Sequence, residues 1–311
     1  MQNNLAFVFP GQGSQSLAML ADFSDHEVVQ NTFSEASDAL GYDLWQLVQQ
    51  GPVEKLNQTN FTQPALLTAS VAIWRLWQAS SSAKPTILAG HSLGEYSALV
   101  CAGVFSLADA VKLVEKRGEF MQASVPAGTG AMYAIIGLAD DKIIEACAQA
   151  AQGEVVSAVN FNSPGQVVIA GNKAAVERAG ELCKEAGAKR ALSLPVSVPS
   201  HCALMKDAAD KLAEEFNNIT FNTPNISVVN NVDVAIESSA QAIKTALIKQ
   251  LYSPVRWTET IQYLAQNGVE QVIEAGPGKV LQGLLKRIDK TISCQSVNDS
   301  ASLTKALESV E

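Results

Sequence analysis

Thr86-Ile87-Leu88-Ala89-Gly90-His91-Ser92-Leu93-Gly94 reads as an apolar strand running into a turn of small residues. A helical run, Glu95 to Cys101, follows until Gly103 stops it. Strand, sharp turn and helix are the setting in which G-x-S-x-G acts as a nucleophile elbow: small residues let the chain reverse tightly and hold the serine exposed above the sheet. This makes Ser92 a candidate nucleophile. It also predicts that the backbone N–H of Leu93, at the helix N-terminus, points into an oxyanion hole.

The same grammar recurs along the chain. Leu5-Ala6-Phe7-Val8-Phe9 runs into Pro10-Gly11-Gln12-Gly13, and Val272-Ile273-Glu274-Ala275 runs into Gly276-Pro277-Gly278. Continuous apolar strands bounded by turn residues and separated by helices predict a parallel sheet covered on both faces, with its active site at the carboxyl ends of the strands. A helix opening at Pro64 is apolar nearly all round through Trp74, so it is expected to be buried.

Between Pro126 and Pro199 the order changes. Met132 to Ile136 reads as a strand, Asp140 to Ala151 as a helix, and Val155 to Val159 and Gln166 to Ala170 as strands joined by Asn160 to Gly165. Lys173 to Gly187 reads as a helix and Ala191 to Val198 as a strand. That is β-α-β-β-α-β, the ferredoxin-like order. The expected architecture is α/β: residues 1–125 and 200–311 form the larger catalytic domain, and 126–199 a ferredoxin-like subdomain inserted in it.

Composition narrows the chemistry. The 311 residues carry 31 acidic and 22 basic side chains, a net charge of −9, which argues against a nucleic-acid binder that works by neutralising phosphates. The five cysteines are an odd number without a C-x-x-C pair, so neither a disulfide framework nor structural zinc is expected. Met1-Gln2-Asn3-Asn4 has no basic region, the apolar run after it is short, and no apolar stretch approaches the ~18 residues of a membrane span. A cytoplasmic protein without membrane attachment is expected. No HExxH or His/Cys cluster supports metal catalysis, and the segments at Gly11 and Gly276 are incomplete as dinucleotide or phosphate-loop motifs.

A serine nucleophile needs a base, and the chain has three histidines, His26, His91 and His201. His26 lies in the polar Asp25-His26-Glu27, read as surface. His91 adjoins Ser92, where neighbouring side chains diverge. His201 follows Leu194-Pro195-Val196-Ser197-Val198-Pro199-Ser200, where the inserted subdomain returns, and clefts between domains are common sites. The expected pair is Ser92 with His201, titrating as one group near neutrality. Of the acids between them, Asp109, Asp140 and Asp141, none sits at a recognisable strand end, so a main-chain carbonyl is the other candidate for orienting the imidazole.

Residues 106 to 121 have a serine N-cap and helical spacing. Leu107, Ala110, Val111, Val114 and Met121 form an apolar stripe, and Arg117 falls on it. A charge there is costly unless paired. It either snorkels or joins a structural ion pair, or its planar guanidinium grips a substrate carboxylate. Beside a serine nucleophile, the last use implies an acyl substrate with a free carboxylate.

Phe9-Pro10-Gly11-Gln12-Gly13-Ser14-Gln15, Thr62-Gln63-Pro64-Ala65-Leu66, Gly90-His91-Ser92-Leu93-Gly94-Glu95-Tyr96, Arg117-Gly118, Asn160-Phe161-Asn162-Ser163-Pro164, Pro199-Ser200-His201 and Glu274-Ala275-Gly276-Pro277-Gly278 together resemble the ordered motifs of the malonyl-CoA:acyl carrier protein transacylases of bacterial type II fatty-acid synthesis. The resemblance spans essentially the full length. It implies an α/β-hydrolase-like core with the ferredoxin-like insertion, malonylation of Ser92, His201 as its base and Arg117 as the carboxylate binder. It further implies an oxyanion hole of the Gln12 and Leu93 N–H groups, the Gln250 main-chain carbonyl orienting His201, and Gln63 and Asn162 lining the cleft. Malonyl-CoA and acyl carrier protein are the implied partners, coenzyme A thioester being substrate rather than cofactor, and a monomer is expected. Rival readings are an esterase or thioesterase using the same pair, and a non-catalytic carrier-binding subunit. Lys279, Lys286, Arg287 and Lys290, with Lys189-Arg190, are candidate carrier contacts.

Overall fold

The computed structural model describes residues 4–196 and 198–310. Met1 to Asn3, part of the N-terminus read above, and Ser197, inside the last expected strand of the insertion, lie outside them. The described strands, in chain order, are β1 (Leu5–Phe9), β2 (Ile87–Gly90), β3 (Gly130–Ile136), β4 (Val156–Ser163), β5 (Gln166–Asn172), β6 (Arg190–Ser193), β7 (Ser227–Val229), β8 (Gln271–Ala275) and β9 (Ser293–Val297).

One sheet is parallel, in the order β7-β2-β1-β8-β9. Its central strand shows why the sequence run is continuous rather than alternating. Leu5, Phe7 and Phe9 face one layer, where Phe7 meets Trp74 and Trp77 edge-on at 5.1 Å, while Ala6 and Val8 face Trp257 and Ile261 on the other. Both faces are covered, so every position is apolar. The short β7 and the half-polar β9 close the edges.

The second sheet is antiparallel, in the order β4-β5-β3-β6, with helices Asp140–Ala151 and Lys173–Glu185. Among this unit's own strands that is 2-3-1-4, the ferredoxin-like arrangement.

Three local expectations change. The buried helix spans Thr59–Ser80 and encloses Pro64 instead of opening at it. Its first turn is gripped by the helix Leu107–Ala123, where a Cβ on Gly118 would lie 2.5 Å from the Asn60 Cα, so tertiary packing holds backbone that proline alone would interrupt. The segment Asn160–Ser163 belongs to β4, with register irregularities against β5, and Asn160 bridges Val255. The last strand ends at Ser193. Pro195 and Pro199 cannot donate to a ladder, and the described residues between them, Val196 and Val198, belong to no strand.

Candidate active site

The turn after β2 is as tight as the motif requires. A Cβ on Gly90 would lie 1.9 Å from the Gly94 carbonyl carbon, and one on Gly94 would lie 2.0 Å from the Phe9 oxygen. Between them Ser92 takes φ 53° and ψ −106°, a strained conformation for a residue with a side chain. Asn231, just past β7, holds it: the Ser92 N–H donates to Asn231 Oδ1 at 2.7 Å, and Asn231 Nδ2 donates to the Gly90 carbonyl at 2.7 Å.

Ser92 Oγ and His201 Nε2 stand 2.7 Å apart. His201 is 3% exposed, and its position is set by the end of helix Ala240–Tyr252. The last carbonyls of a helix have no partner within it. Here Leu251 O accepts the His201 N–H at 3.0 Å, and Gln250 O faces Nδ1 at 2.7 Å. A carbonyl can only accept, so Nδ1 carries the ring proton and Nε2 presents its lone pair to the Ser92 hydroxyl. Of the two candidates for the orienting group, the carbonyl occupies the position, while Asp109 sits in the capped first turn of its own helix.

Burial is the main force pushing the His201 imidazole down to about 3, and the Arg117 charge adds to it. The ring is therefore neutral at physiological pH, below the near-neutral titration expected of histidine. His91 shares the cavity wall but hydrogen bonds Asn162 Oδ1 through Nε2 at 2.8 Å. His26 is exposed at a helix N-cap.

Arg117 is 1% exposed. Nη1 donates to Gln63 Oε1 at 2.7 Å; Nη2 donates to Gln250 Oε1 at 3.0 Å and to Ser92 Oγ at 3.3 Å. Its Cζ lies 5.3 Å from the centre of the Tyr96 ring, and Nε has no hydrogen-bond partner. Among the described residues no carboxylate lies within ion-pair distance of it. The guanidinium is thus held by neutral oxygens and lacks a counter-ion.

A cavity of about 120 Å³ opens over these groups, lined by Gln12, Leu93, Met132, Asn160, Leu194 and Val198 among others. Leu93 opens its helix, and first-turn N–H groups have no acceptor within a helix. Gln12 is brought opposite by Gly11, whose Cβ, were there one, would lie 2.5 Å from the His91 oxygen. Two side chains expected on the cleft wall stand behind it: Gln63 braces Arg117, Asn162 braces His91, and Asn160 takes the wall position. Sequence reading missed Asn231, Glu95 as a buried acid and the Gln250 side chain. The available signals were the single charge on the helix Leu93–Cys101 and a polar pair, Asn230-Asn231, just past a strand end.

The acyl transferase domain family matches residues 6–305. The malonyl CoA-acyl carrier protein transacylase of Escherichia coli (strain K12) is 64% identical over 304 residues, covering 97% of this chain and 98% of that one. A solved acyl carrier protein S-malonyltransferase from Vibrio cholerae superposes with a TM-score of 0.96 at 67% identity, covering 98% of this chain and 100% of that one. A malonyl-transacylase solved in complex with a type II PKS acyl-carrier protein superposes at 0.97 with 65% identity, covering 98% of this chain and 99% of that one. With an elbow serine, its histidine and an unpaired arginine in one cavity, and likeness of this extent, the chain belongs to the malonyl CoA-acyl carrier protein transacylases of the acyl transferase domain family.

Proposed function

We propose that this chain moves the malonyl group of malonyl-CoA to the pantetheine thiol of acyl carrier protein through a malonyl ester on Ser92. The observation that carries the reading is the buried Arg117, without a counter-ion and 3.3 Å from Ser92 Oγ. A malonyl ester on that oxygen carries its free carboxylate only a few bonds away, within reach of the guanidinium.

His201 Nε2 takes the Ser92 proton as Oγ attacks the thioester carbonyl. The N–H groups of Gln12 and Leu93 hold the oxyanion. The C–S bond breaks, and the coenzyme A thiolate leaves with the proton from His201. In the second half the carrier thiol gives its proton to His201, its thiolate attacks the ester, and Oγ departs and is reprotonated. The Gln250 carbonyl stabilises the imidazolium formed in each half. No metal or further cofactor enters the scheme. The same reading has the chain act as a cytoplasmic monomer, with its inserted unit at 126–199 forming one wall of the cleft and without nucleic-acid or membrane partners. Among the described residues no helix is long and apolar enough to cross a membrane.

Intact mass after mixing with malonyl-CoA tests the reading. A malonyl adduct is expected on the wild-type chain, absent in Ser92→Ala and discharged by holo-acyl carrier protein. Release of free malonate at the rate of thioester loss, without an acceptor, would make the protein a hydrolase instead.

A further inference from the structure

Beneath the elbow lies an acid that the transfer scheme does not use. Glu95 is 2% exposed and sits on the first turn of the helix that Ser92 precedes. Its Oε2 accepts from the Asn231 backbone N–H at 3.0 Å and from Gln250 Nε2 at 2.8 Å. Among the described residues it has no basic partner at ion-pair distance.

Gln250 is fully buried, and its carboxamide stands between the acid and the guanidinium. Nε2 donates to Glu95 and, at 3.0 Å, to the Ser92 carbonyl, while Oε1 accepts from Arg117 Nη2 at 3.0 Å. The chain Glu95–Gln250–Arg117 therefore runs acid, amide, guanidinium. Direct contact between the end members would form a closed ion pair, and the arginine would need no further anion. With the amide interposed, the guanidinium is fixed in place and partly balanced at a distance while its charge stays available. Burial pushes the Glu95 carboxyl up to about 7, the cost of keeping an acid there without direct pairing.

We propose that Glu95 and the Gln250 side chain form a positioning pair that orients Arg117 toward a substrate carboxylate without neutralising it. This rests on reading Arg117 as the carboxylate binder, and it gives Gln250 a second task beside the main-chain carbonyl that faces His201.

The test measures Ser92 acylation by malonyl-CoA and by acetyl-CoA, which lacks the distal carboxylate, on the full chain. The variants are Gln250→Met, Glu95→Ala, Glu95→Gln, Arg117→Ala and the double variant Gln250→Met/Arg117→Ala. Gln250→Met is expected to lower the malonyl-to-acetyl ratio of kcat/KM about 10- to 100-fold, the effect of removing a hydrogen bond to a charged group, with most of the loss in the malonyl KM. Glu95→Ala should lower the ratio in the same direction, and Glu95→Gln, which keeps an oxygen for both N–H donors, should restore most of it. In the Arg117→Ala background Gln250→Met should lower it no further. Equal losses for both acyl groups, or an undiminished effect without Arg117, would overturn the proposal and leave the pair a scaffold of the elbow. Arg117→Ala leaving the ratio unchanged would instead sink the reading of the arginine itself. If Gln250→Met does not fold, Gln250→Asn, one methylene short of Arg117, carries the same comparison.

Discussion

Ser92 and His201 meet at 2.7 Å while both hold left-handed backbone, at φ 53° and φ 64°. Such conformations cost about 1–3 kcal/mol each for residues with side chains and persist only where the surroundings over-determine them. Two separate clamps do so. Asn231 ties the Ser92 N–H and the Gly90 carbonyl across from β7, and the end of helix Ala240–Tyr252 takes both the N–H and the Nδ1–H of His201. The strain aims the two side chains at each other from elements 109 residues apart in sequence.

Asn231→Ala removes the first clamp. Two buried main-chain groups lose their partners, a loss of about 2 kcal/mol in chemical denaturation. The acylation rate should fall more than substrate affinity, because Ser92 Oγ leaves its line with His201 Nε2. An acylation rate equal to the wild type at unchanged stability would mean that the elbow holds itself.

The glycines of the elbow allow a sharper steric test. Gly94→Ala would drive a Cβ to 2.0 Å from the Phe9 oxygen, a main-chain atom at the end of the central strand that has nowhere to move. A loss of about 3 kcal/mol or more is expected, the high end of overpacking, read as a lowered melting temperature. Gly13→Ala on the neighbouring loop meets nothing within 4 Å, but its φ of 103° strains any side chain, so its smaller loss comes from backbone conformation alone.

The nucleophile was legible because its signal is local: strand, turn and helix lie within one stretch. His201 followed from a short inventory of histidines, and Arg117 from a charge on an apolar stripe. Asn231 and the side chain of Gln250 leave no such trace. Asn231 acts on atoms 139 and 141 residues away, and Gln250 reads locally as one more polar residue in the last turn of a helix. Glu95 was the same kind of anomaly as Arg117, but it stood among the letters of the elbow motif. The edge strands β7 and β9 escaped for physical reasons as well, one being three residues long and the other carrying Ser293, Gln295 and Ser296. Titration near neutrality is histidine's ordinary behaviour, and the burial and neighbouring charge that displace it are visible only in the fold.

That displacement has a sign. The His201 imidazole falls from 6.5 to about 3 because burial, then the Arg117 charge, disfavour the imidazolium. The acidic limb of kcat/KM for acetyl-CoA should therefore lie below the usual histidine range. Since the folded value is depressed, this group's contribution to stability is complete above pH 6.5 and is lost as pH falls toward 3. Arg117→Met removes the second largest of the causes that lower it, so the acidic limb should move up. A limb that stays in place or moves down in that variant would show that the arginine does not act on the imidazole.

The chain carries a net charge of −9, so the cations that could guide a carrier protein act as a local patch. Two of the basic residues singled out in sequence, Lys189 and Arg287, are linked through contacts that join the two sheets. Lys189 packs over Gly137, whose N–H donates to Gly165 O at 2.7 Å, and the next residue, Gln166, accepts from Arg287 Nη1 at 2.6 Å. Lys286 is exposed beside Arg287 at the end of helix Val280–Ile288. Cations at the rim of an interface act mainly on the rate of encounter, and salt screens them over roughly 8–10 Å. Charge reversal at Lys286 and Arg287 should therefore raise the KM for acyl carrier protein and flatten its salt dependence, while malonyl-CoA still labels Ser92. If the carrier KM and its salt dependence both match the wild type, the carrier protein approaches over another face.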